Sequence, residues 1–293
     1  MRFPFTGVIP IDKPTGVTSR RVVDAVARAV GMKTVGHAGT LDPLAEGVVV
    51  VCVGHATKLV DCVHGLPKHY SGEFLLGRSS PSDDFETPVE DEIDPRVPTT
   101  ADLQAALPAF RGPLLQRPCD YSAVHVDGKR AYRLARKGRP VELAAKPVRI
   151  DHLEVIAYEW PRLALEIVCS SGTFVRAIGR DLAAALGTTA VMSGLVRTAV
   201  GPFTRERSLP LDGLTPESVR HGLLAAVEAV PLLPRIVLDD EGLAKAVRGG
   251  LVPGDAAGGE VFAAVDAAGD LVGLLKRHES GLYRLRPNFR GEG

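Results

Sequence analysis

A carboxylate within a glycine-rich loop is the group of this chain best suited to do chemistry. Residues 36–47 read Gly-His-Ala-Gly-Thr-Leu-Asp-Pro-Leu-Ala-Glu-Gly, with Asp42 near the centre, and a strand-like apolar run follows at 48–53. Glycine lets the backbone approach a ligand closely, and an adjoining strand holds a side chain rigidly. The pattern therefore suits a nucleophile or a general base, whereas an Asp-Pro pair on its own would indicate only a turn.

Other chemistries lack the residue patterns that they require. The sequence has no glycine-rich phosphate loop, no dinucleotide-binding fingerprint and no nucleophile elbow of the serine hydrolases. Neither the cysteines nor the histidines occur at metal-ligand spacing, which argues against a metal-dependent hydrolase. We expect no cofactor and no metal, and we interpret the cysteines as small buried residues of a reducing compartment: Cys52, Cys62, Cys119 and Cys169.

The overall composition is typical of a soluble globular protein. The 293 residues carry 35 Lys and Arg against 35 Asp and Glu, which excludes a uniformly basic nucleic-acid coat but not a local basic patch. The longest apolar run has six residues, far fewer than the roughly 20 that span a membrane. The first residues lack the apolar core of a signal peptide, so we expect a cytoplasmic location.

Charge is distributed unevenly along the chain. Residues 111–150 contain ten Lys or Arg against three acidic residues, and basic residues alternate there with Tyr132. Such a segment can be a solvated helix face or a surface that binds a polyanion. Residues 81–100 are the opposite, with seven acidic residues and one Arg, and their composition predicts a solvated loop.

Several elements must position the glycine-rich loop. A strand is predicted over 7–12, and a helix with buried valines is predicted from Thr18 or Ser19 to Gly31. Residues 152–169 predict a hairpin that turns at Trp160-Pro161, and a helix is predicted after Ser171-Gly172-Thr173. Hairpins mixed with separate helices indicate an α+β fold rather than a repeating βαβ unit.

The chain is predicted to contain two domains. Pro231-Leu232-Leu233-Pro234 reads as a linker, so we place one domain at 1–232 and a small one at 235–293. The small domain is predicted to hold a short helix at about 239–248 and several strands. It is close to neutral, although basic residues gather near its end.

The glycine-rich loop resembles the signature of the TruB pseudouridine synthases, G-H-x-G-x-L-D-P-x-A-x-G. Four further blocks resemble other parts of that family, in the same order, so that the resemblance covers about residues 7–203. These blocks are Asp12-Lys13-Pro14-x-Gly16, His69-Tyr70 followed by Asp83-Asp84, Tyr121-Ser122-Ala123 with Gly128-Lys129-Arg130-Ala131-Tyr132, and finally Ser171 to Arg176 together with Leu195 to Thr198.

The resemblance implies a fold and a reaction. The fold would be an α+β pseudouridine synthase fold, with a mixed and mainly antiparallel central sheet flanked by helices and a small β-rich PUA-like domain at the C-terminus. The reaction would isomerise uridine in RNA: the C1′–N1 bond breaks, and C1′ then bonds to C5. This chemistry needs no nucleotide, flavin or metal, because one carboxylate in a shaped pocket can suffice.

The resemblance also assigns roles to individual residues. Asp42 would be the catalytic carboxylate, which either attacks the nucleotide or removes a ribose proton. An ionised Asp in a dry pocket needs a positive partner, and Arg176 matches that position, although a helix Arg can simply be exposed. Tyr70 matches the tyrosine that stacks on the flipped uracil, whereas an unassigned Tyr would be a core or edge-strand residue.

Further residues match positions close to the RNA. Lys13 and Leu195 belong to matching blocks, and His37 resembles the histidine that fills the gap left by the flipped base, although a loop His can be a hydrogen-bonding scaffold. Phe174 departs from the family, in which Tyr is common at this position. Because Phe cannot transfer protons, we interpret Phe174 as a residue that packs on the substrate.

The implied substrate is tRNA, modified at uridine 55 of the T loop by a single chain, expected to be a monomer, without guide RNA. The segment at about 120–150 resembles a basic thumb, with Lys129, Arg130 and Tyr132 contacting the T arm, and the PUA-like domain would contact the acceptor stem. Two alternatives stay open: a guide-RNA-dependent synthase, and a non-catalytic protein that binds or folds RNA.

Overall fold

The structure is a computed structural model that describes residues 5–122, 124–126, 129–136, 138, 143–254 and 259–290. The strands in this part of the chain are β1 (Gly7–Lys13), β2 (Val35–His37), β3 (Glu46–Val53), β4 (Lys68–Leu76), β5 (Arg78–Ser79), β6 (Glu90–Asp91), β7 (Gly112–Gln116), β8 (His125–Val126), β9 (Lys129–Arg130), β10 (Lys146–Glu159), β11 (Arg162–Cys169), β12 (Ala190–Val200), β13 (Phe203–Thr204), β14 (Leu209–Pro210), β15 (Arg235–Val237), β16 (Leu251–Val252), β17 (Val261–Val265), β18 (Leu271–Arg277) and β19 (Tyr283–Asn288). The α-helices are α1 (Ser19–Val30), α2 (Val60–His64), α3 (Thr100–Ala106), α4 (Ala131–Ala135), α5 (Val175–Ala185), α6 (Pro216–Gly222) and α7 (Asp240–Val247).

A mixed sheet forms the centre of the protein. Its strands follow the order β14-β1-β3-β12-β4-β11-β10-β7, with β2 paired to β3 and β13 paired to β12. The β1/β14 and β3/β12 pairs are parallel, and the other pairs are antiparallel. The prediction of an α+β fold with a mixed, mainly antiparallel sheet is therefore confirmed.

Helix α1 forms as its sequence predicts. The Thr18 hydroxyl accepts a hydrogen bond from the Arg21 amide at the N-terminus, and Gly31 ends the helix in a left-handed conformation with φ of 65°. The apolar face of the helix is buried, while Arg20, Arg21 and Arg28 are exposed. The Ser19 hydroxyl donates to the Leu41 carbonyl and accepts from the Leu41 amide, which joins the helix start to the glycine-rich loop.

Helix α5 packs against the central strand β4 at very short range. A Cβ at Gly179 would lie 2.1 Å from the Phe74 ring, so only glycine allows this approach. Phe74 is fully buried, and the side chains of Ile178 and Leu182 lie in the same apolar core. Because Arg176 lies in the first turn of α5, this packing fixes its position above the sheet.

A second, five-stranded sheet lies near the C-terminus, in the order β15-β17-β18-β19-β16. One of its faces packs on α7, in a small core that includes Phe262 and Leu275. Its other face shares an apolar cluster with the central sheet, in which Ala263 and Leu274 join Val50 and Val63. The two sheets are thus joined by a continuous buried core.

The structure departs from the sequence prediction in the acidic segment. Residues 81–100 include very exposed positions such as Ile93, but Ser82 and Asp84 are buried. The prediction of a solvated loop is wrong for these two residues, because Asp84 is paired inside the protein with a cation that composition could not reveal. None of the helices in the described ranges is long and apolar enough to cross a membrane.

Candidate active site

The carboxylate of Asp42 contacts the guanidinium of Arg176. Arg176 Nη2 lies 3.1 Å from Asp42 Oδ2, and the Arg176 side chain is 5% exposed whereas that of Asp42 is 38% exposed. Burial lowers the pKa of Arg176, but nearby negative groups, Asp42 foremost, outweigh it and raise that pKa above its usual value. The charged pair therefore combines a fixed, buried cation with a carboxylate that is open to an incoming ligand.

A second carboxylate, Asp84, binds the other side of the same guanidinium. Arg176 Nη1 lies 3.1 Å from Asp84 Oδ2 and donates to the Ser82 carbonyl at 2.8 Å. Arg176 Nη2 also donates to the Tyr121 carbonyl at 3.1 Å. The guanidinium is thus held in place by groups from three segments, which orients it towards Asp42.

The loop that carries Asp42 is fixed along its whole length. Each backbone carbonyl from residue 39 to residue 45 accepts a hydrogen bond from another group of the protein, which holds the loop conformation. The donors, in loop order, are Arg197 for Gly39 and Thr40, the Ser19 hydroxyl for Leu41, the Ala45 amide for Asp42, the Gly16 amide for Pro43, the Thr15 hydroxyl for Leu44 and the Lys13 ammonium for Ala45.

Two of these donors are buried cations. The side chain of Lys13 is fully buried, and its ammonium also donates to the Pro14 carbonyl at 3.0 Å. Burial, and then the charge of Arg197, lower the pKa of Lys13 to about 8. Lys13 was predicted to lie close to the RNA; the structure places it beneath the loop, where it binds backbone carbonyls.

The close approach of strands β3 and β12 depends on Gly47. This residue has a φ of 104°, and a Cβ there would lie 2.2 Å from the Arg197 carbonyl oxygen. The parallel pairing of Gly47 with Arg197 brings the end of the Asp42 loop onto β12. Arg197 is in turn paired with Tyr70 across β12 and β4.

Tyr70 and Leu195 lie on the face of the sheet that the Asp42 loop covers. Tyr70 is 8% exposed and Leu195 is 7% exposed, and both belong to the main apolar core. Burial raises the pKa of the Tyr70 phenol, while the charge of Arg197 lowers it. Tyr70 therefore lies in the same apolar core as Leu41 and Ala45 of the Asp42 loop, and the charge of Asp42 acts on its phenol.

His37 lies at the end of β2, at the start of the same loop. Burial, and then the charge of Arg197, lower the pKa of its imidazole, so the ring is neutral near pH 7. Its Nδ1 atom is buried and has no hydrogen-bond partner among the residues that the structure describes. A neutral ring without a partner on that atom can accept or donate one more hydrogen bond.

Phe174 precedes α5 at the position of its N-cap. Its backbone amide donates to Gln116 Oε1 at 2.8 Å, and its carbonyl accepts from Gln116 Nε2 at 3.1 Å. The buried Gln116 amide thus fixes the backbone just ahead of Arg176, while the half-buried Phe174 ring has no group that could transfer a proton.

The thumb segment is described only in part. Lys129 and Arg130 form the short strand β9, and their side chains lie outside the described residues. Tyr132 is half-buried, with the Arg133 and Arg136 guanidinium carbons 6.0 Å and 5.3 Å from its ring centroid. Arg136 also pairs with Glu86, so this part of the thumb contacts the acidic segment that supplies Asp84.

One group of possible metal ligands lies on β10 and β11. His152 Nε2 is 3.4 Å from Glu154 Oε2 and 3.8 Å from Glu166 Oε2, on half-buried or exposed side chains. The three side chains are close enough for polar contacts with one another, and exposed acidic groups of this kind are common without a metal ion. It includes none of the predicted site residues.

Three residues of the site were not assigned from the sequence. Asp84 lies in a matching block but was given no role, and Gln116 carried no signal at all. Arg197 lies in the last block, where its type is visible in the sequence but its burial is not. An arginine next to apolar strand residues, such as Leu195 and Val196, is the one available sign of a buried cation.

The fold of this chain is similar to that of chains in two solved complexes. The crystal structure of the archaeal box H/ACA sRNP Nop10-Cbf5 complex contains a chain that matches with a TM-score of 0.74 at 22% identity, covering 98% of this chain and 86% of that one. The crystal structure of a Cbf5-Nop10-Gar1 complex matches with a TM-score of 0.73 at the same identity. At this identity the similarity concerns the fold alone.

The sequence comparisons define the family. The family model described as TruB family pseudouridylate synthase (N terminal domain) matches residues 27–175. The tRNA pseudouridine synthase B of Mycobacterium tuberculosis is 38% identical over 276 residues, covering 92% of this chain and 91% of that protein, and the enzyme of the same name from Mycobacterium avium is 45% identical over 212 residues, covering 71% and 69%. The fold and the sequence define a pseudouridylate synthase. The chain belongs to the TruB family.

Proposed function

We propose that this chain converts uridine to pseudouridine at position 55 in the T loop of tRNA, as a monomer and without guide RNA. The observation that carries this proposal is the Asp42–Arg176 pair, in which a partly exposed carboxylate rests on a buried guanidinium. The relatives named tRNA pseudouridine synthase B support tRNA as the substrate. The nearly full-length match to one of them favours a chain that acts alone.

Asp42 is the proposed catalytic residue. Its carboxylate either attacks the nucleotide or removes a ribose proton, and the C1′–N1 bond then breaks. The uracil turns over, C1′ bonds to C5, the C5 proton leaves and N1 gains a proton, so the product is an isomer of the substrate. Arg176 orients Asp42, because its buried guanidinium lies 3.1 Å from the carboxylate.

The remaining site residues act on the target base. Tyr70 is proposed to stack on the flipped uracil and Leu195 to pack beside it, which offsets part of the cost of removing the base from its loop. His37 fills the gap in the RNA, and Phe174 packs on the substrate. Lys13 supports the site indirectly, because its ammonium holds the Asp42 loop through the carbonyls of Pro43 and Ala45.

The rest of the chain is proposed to bind the body of the tRNA. Residues 1–232 would be the catalytic domain, whose thumb at about 120–150 contacts T-arm phosphates through Lys129, Arg130 and Tyr132. Residues 235–293 would be a PUA-like domain at the acceptor stem. Such phosphate contacts predict an affinity that falls steeply with salt.

Tritium release from an unmodified tRNA transcript labelled at uracil C5 tests the function. We expect release by the wild type without metal, nucleotide or guide RNA, and none by Asp42→Asn. The control Asp24→Asn should also release tritium, because Asp24 lies on α1 with 42% of its side chain exposed and pairs only with the exposed Arg20 among the described residues. A transcript with cytidine at position 55 should release no tritium from the T loop. If neither the wild type nor Asp42→Asn releases tritium while both bind tRNA equally, a guide-dependent or a binding-only protein is the better account.

A further inference from the structure

Arg197 has the largest side chain among the fully buried residues of this chain. It is 2% exposed, and no carboxylate in the described ranges forms an ion pair with it. A buried guanidinium is costly to desolvate, and an apolar side chain of similar volume would fill the same space without that cost. The side chain therefore does more than fill the core.

The guanidinium binds the Asp42 loop at both of its ends. Nε donates to the Val48 carbonyl at 2.6 Å, Nη1 to the Thr40 carbonyl at 3.2 Å and Nη2 to the Gly39 carbonyl at 3.3 Å. One planar group thus joins the residues just before Asp42 to the strand just after it. The planar guanidinium holds its donors apart at fixed directions and so reaches three carbonyls on separate parts of the loop and strand, whereas a lysine ammonium would present its donors from a single nitrogen.

The same guanidinium also interacts with Tyr70. The two residues are direct partners on neighbouring strands, and the charge of Arg197 acts on the buried Tyr70 phenol, whose pKa it lowers. The guanidinium that binds the Asp42 loop therefore lies next to the strand position of Tyr70. A shift of the loop relative to β12 requires the three hydrogen bonds from Arg197 to break.

We propose that Arg197 is a positioning residue, which sets the ring of Tyr70 and the carboxylate of Asp42 in the relative geometry that the isomerisation requires. This inference rests on the proposed function. Arg197 differs in this from Arg176, which touches the Asp42 carboxylate itself, because Arg197 acts through the loop backbone and through its place opposite Tyr70 on the neighbouring strand. A displacement of about 1 Å at such a site can reduce a rate by roughly 100-fold.

Two variants test the proposal. Arg197→Lys keeps the charge but loses the planar guanidinium. Arg197→Met removes the buried charge and retains an apolar side chain. We expect at least one of these variants to fold. We expect the single-turnover rate of tritium release to fall at least 30-fold in each folded variant, with the Kd for tRNA within threefold of the wild type. The matched control is Arg111→Lys, whose guanidinium donates two bonds to the Leu153 carbonyl on β10; its rate should not change.

A double-mutant cycle with Tyr70→Phe measures the coupling. If Arg197 acts on the Tyr70 phenol, Arg197→Lys should reduce the rate at least fivefold less in the Tyr70→Phe background than in the wild type. A folded Arg197 variant that retains its rate within threefold, or effects that simply multiply, would overturn the positioning role. Failure of the wild type itself to release tritium would instead overturn the proposed function, and the positioning role with it.

Discussion

Asp42 and Asp84 bind the same guanidinium from opposite sides. Arg176 lies 3.1 Å from each of them, yet the Asp84 side chain is 4% exposed and that of Asp42 is 38% exposed. The two carboxylates therefore differ in access although they share one partner. Asp84 holds Arg176 within the protein, and Asp42 is left free to meet a ligand.

Replacement of Asp84 by Asn should destabilise the protein and slow the reaction. The neutral side chain leaves Arg176 with a single carboxylate, so the guanidinium binds Asp42 more tightly and makes it less reactive. We expect the free energy of unfolding to fall by about 1–3 kcal/mol, as for other broken buried polar contacts. Urea denaturation and single-turnover kinetics measure the two effects.

Asp91→Asn is the control for this change. Asp91 pairs with Arg78 at the surface with 77% of its side chain exposed, and such pairs contribute at most about 1 kcal/mol. If Asp84→Asn is no more harmful than Asp91→Asn, then the second carboxylate does not support Arg176.

Replacement of Gly47 by Ala should disrupt the Asp42 loop. The new Cβ would lie 2.2 Å from the Arg197 carbonyl oxygen, and the φ of 104° is unfavourable for any other residue. Backbone strain alone would lower the free energy of unfolding by about 1–3 kcal/mol. We expect a larger loss, because the contact with the Arg197 carbonyl adds to the strain. Gly213→Ala is the matched control, because its φ is 78° and its Cβ meets open space. Equal losses in the two variants would show that the contact with β12 is unimportant.

The sequence was sufficient for some elements, such as α1 and β3, but it did not predict strands β4 and β12 of the central sheet. The valines of α1, its Thr18 cap and its Gly31 end are local signals, and the structure places all of them as predicted. The Arg176–Asp42 contact also agrees with the residue types that the resemblance singled out. Local patterns thus predict individual elements such as α1, and the family blocks single out Asp42 and Arg176 as residues of one site.

Contacts between residues that are far apart in the sequence could not be predicted from local patterns or from family blocks. Gln116 is 58 residues from Phe174, and its two hydrogen bonds exist only because β7 and α5 meet in the fold. Asp84 occurs in a segment whose average composition predicts solvent exposure, so its burial depends on Arg176. The burial of Lys13 and Arg197 likewise contradicts the usual exposure of their residue types.

The activity should fall as the pH rises above about 8. Burial and the charge of Arg197 lower the pKa of Lys13 to about 8, and above this value its neutral amine binds the loop carbonyls more weakly. Stability should change in the opposite direction. The pKa of Lys13 is about 8 in the folded protein and near 10.5 in the unfolded chain. Below pH 8 the buried, protonated Lys13 therefore lowers the free energy of unfolding. This destabilisation disappears as the pH rises from 8 to 10.5.

The two trends can be separated by comparing the wild type with Lys13→Met. From pH 8 to 10.5 the wild type should gain stability relative to the variant, while its own rate of tritium release declines. Burial also lowers the pKa of Lys68 to about 8, so Lys68→Met serves as the control. If the decline in the rate at high pH is absent in Lys68→Met, then Lys68 rather than Lys13 causes that decline.

The shared core between the two sheets predicts that the chain unfolds as one cooperative unit. Leu274 of the C-terminal sheet is 5% exposed in the cluster that contains Val50 of the central sheet, so neither sheet can unfold without exposing the apolar surface of the other. We expect a single calorimetric transition, and Leu274→Ala should lower the free energy of unfolding by about 2–5 kcal/mol. The control Leu232→Ala, at a side chain that is 73% exposed, should change it little. Two separate transitions, of which Leu274→Ala moves only one, would mean that the C-terminal sheet folds independently of the catalytic part.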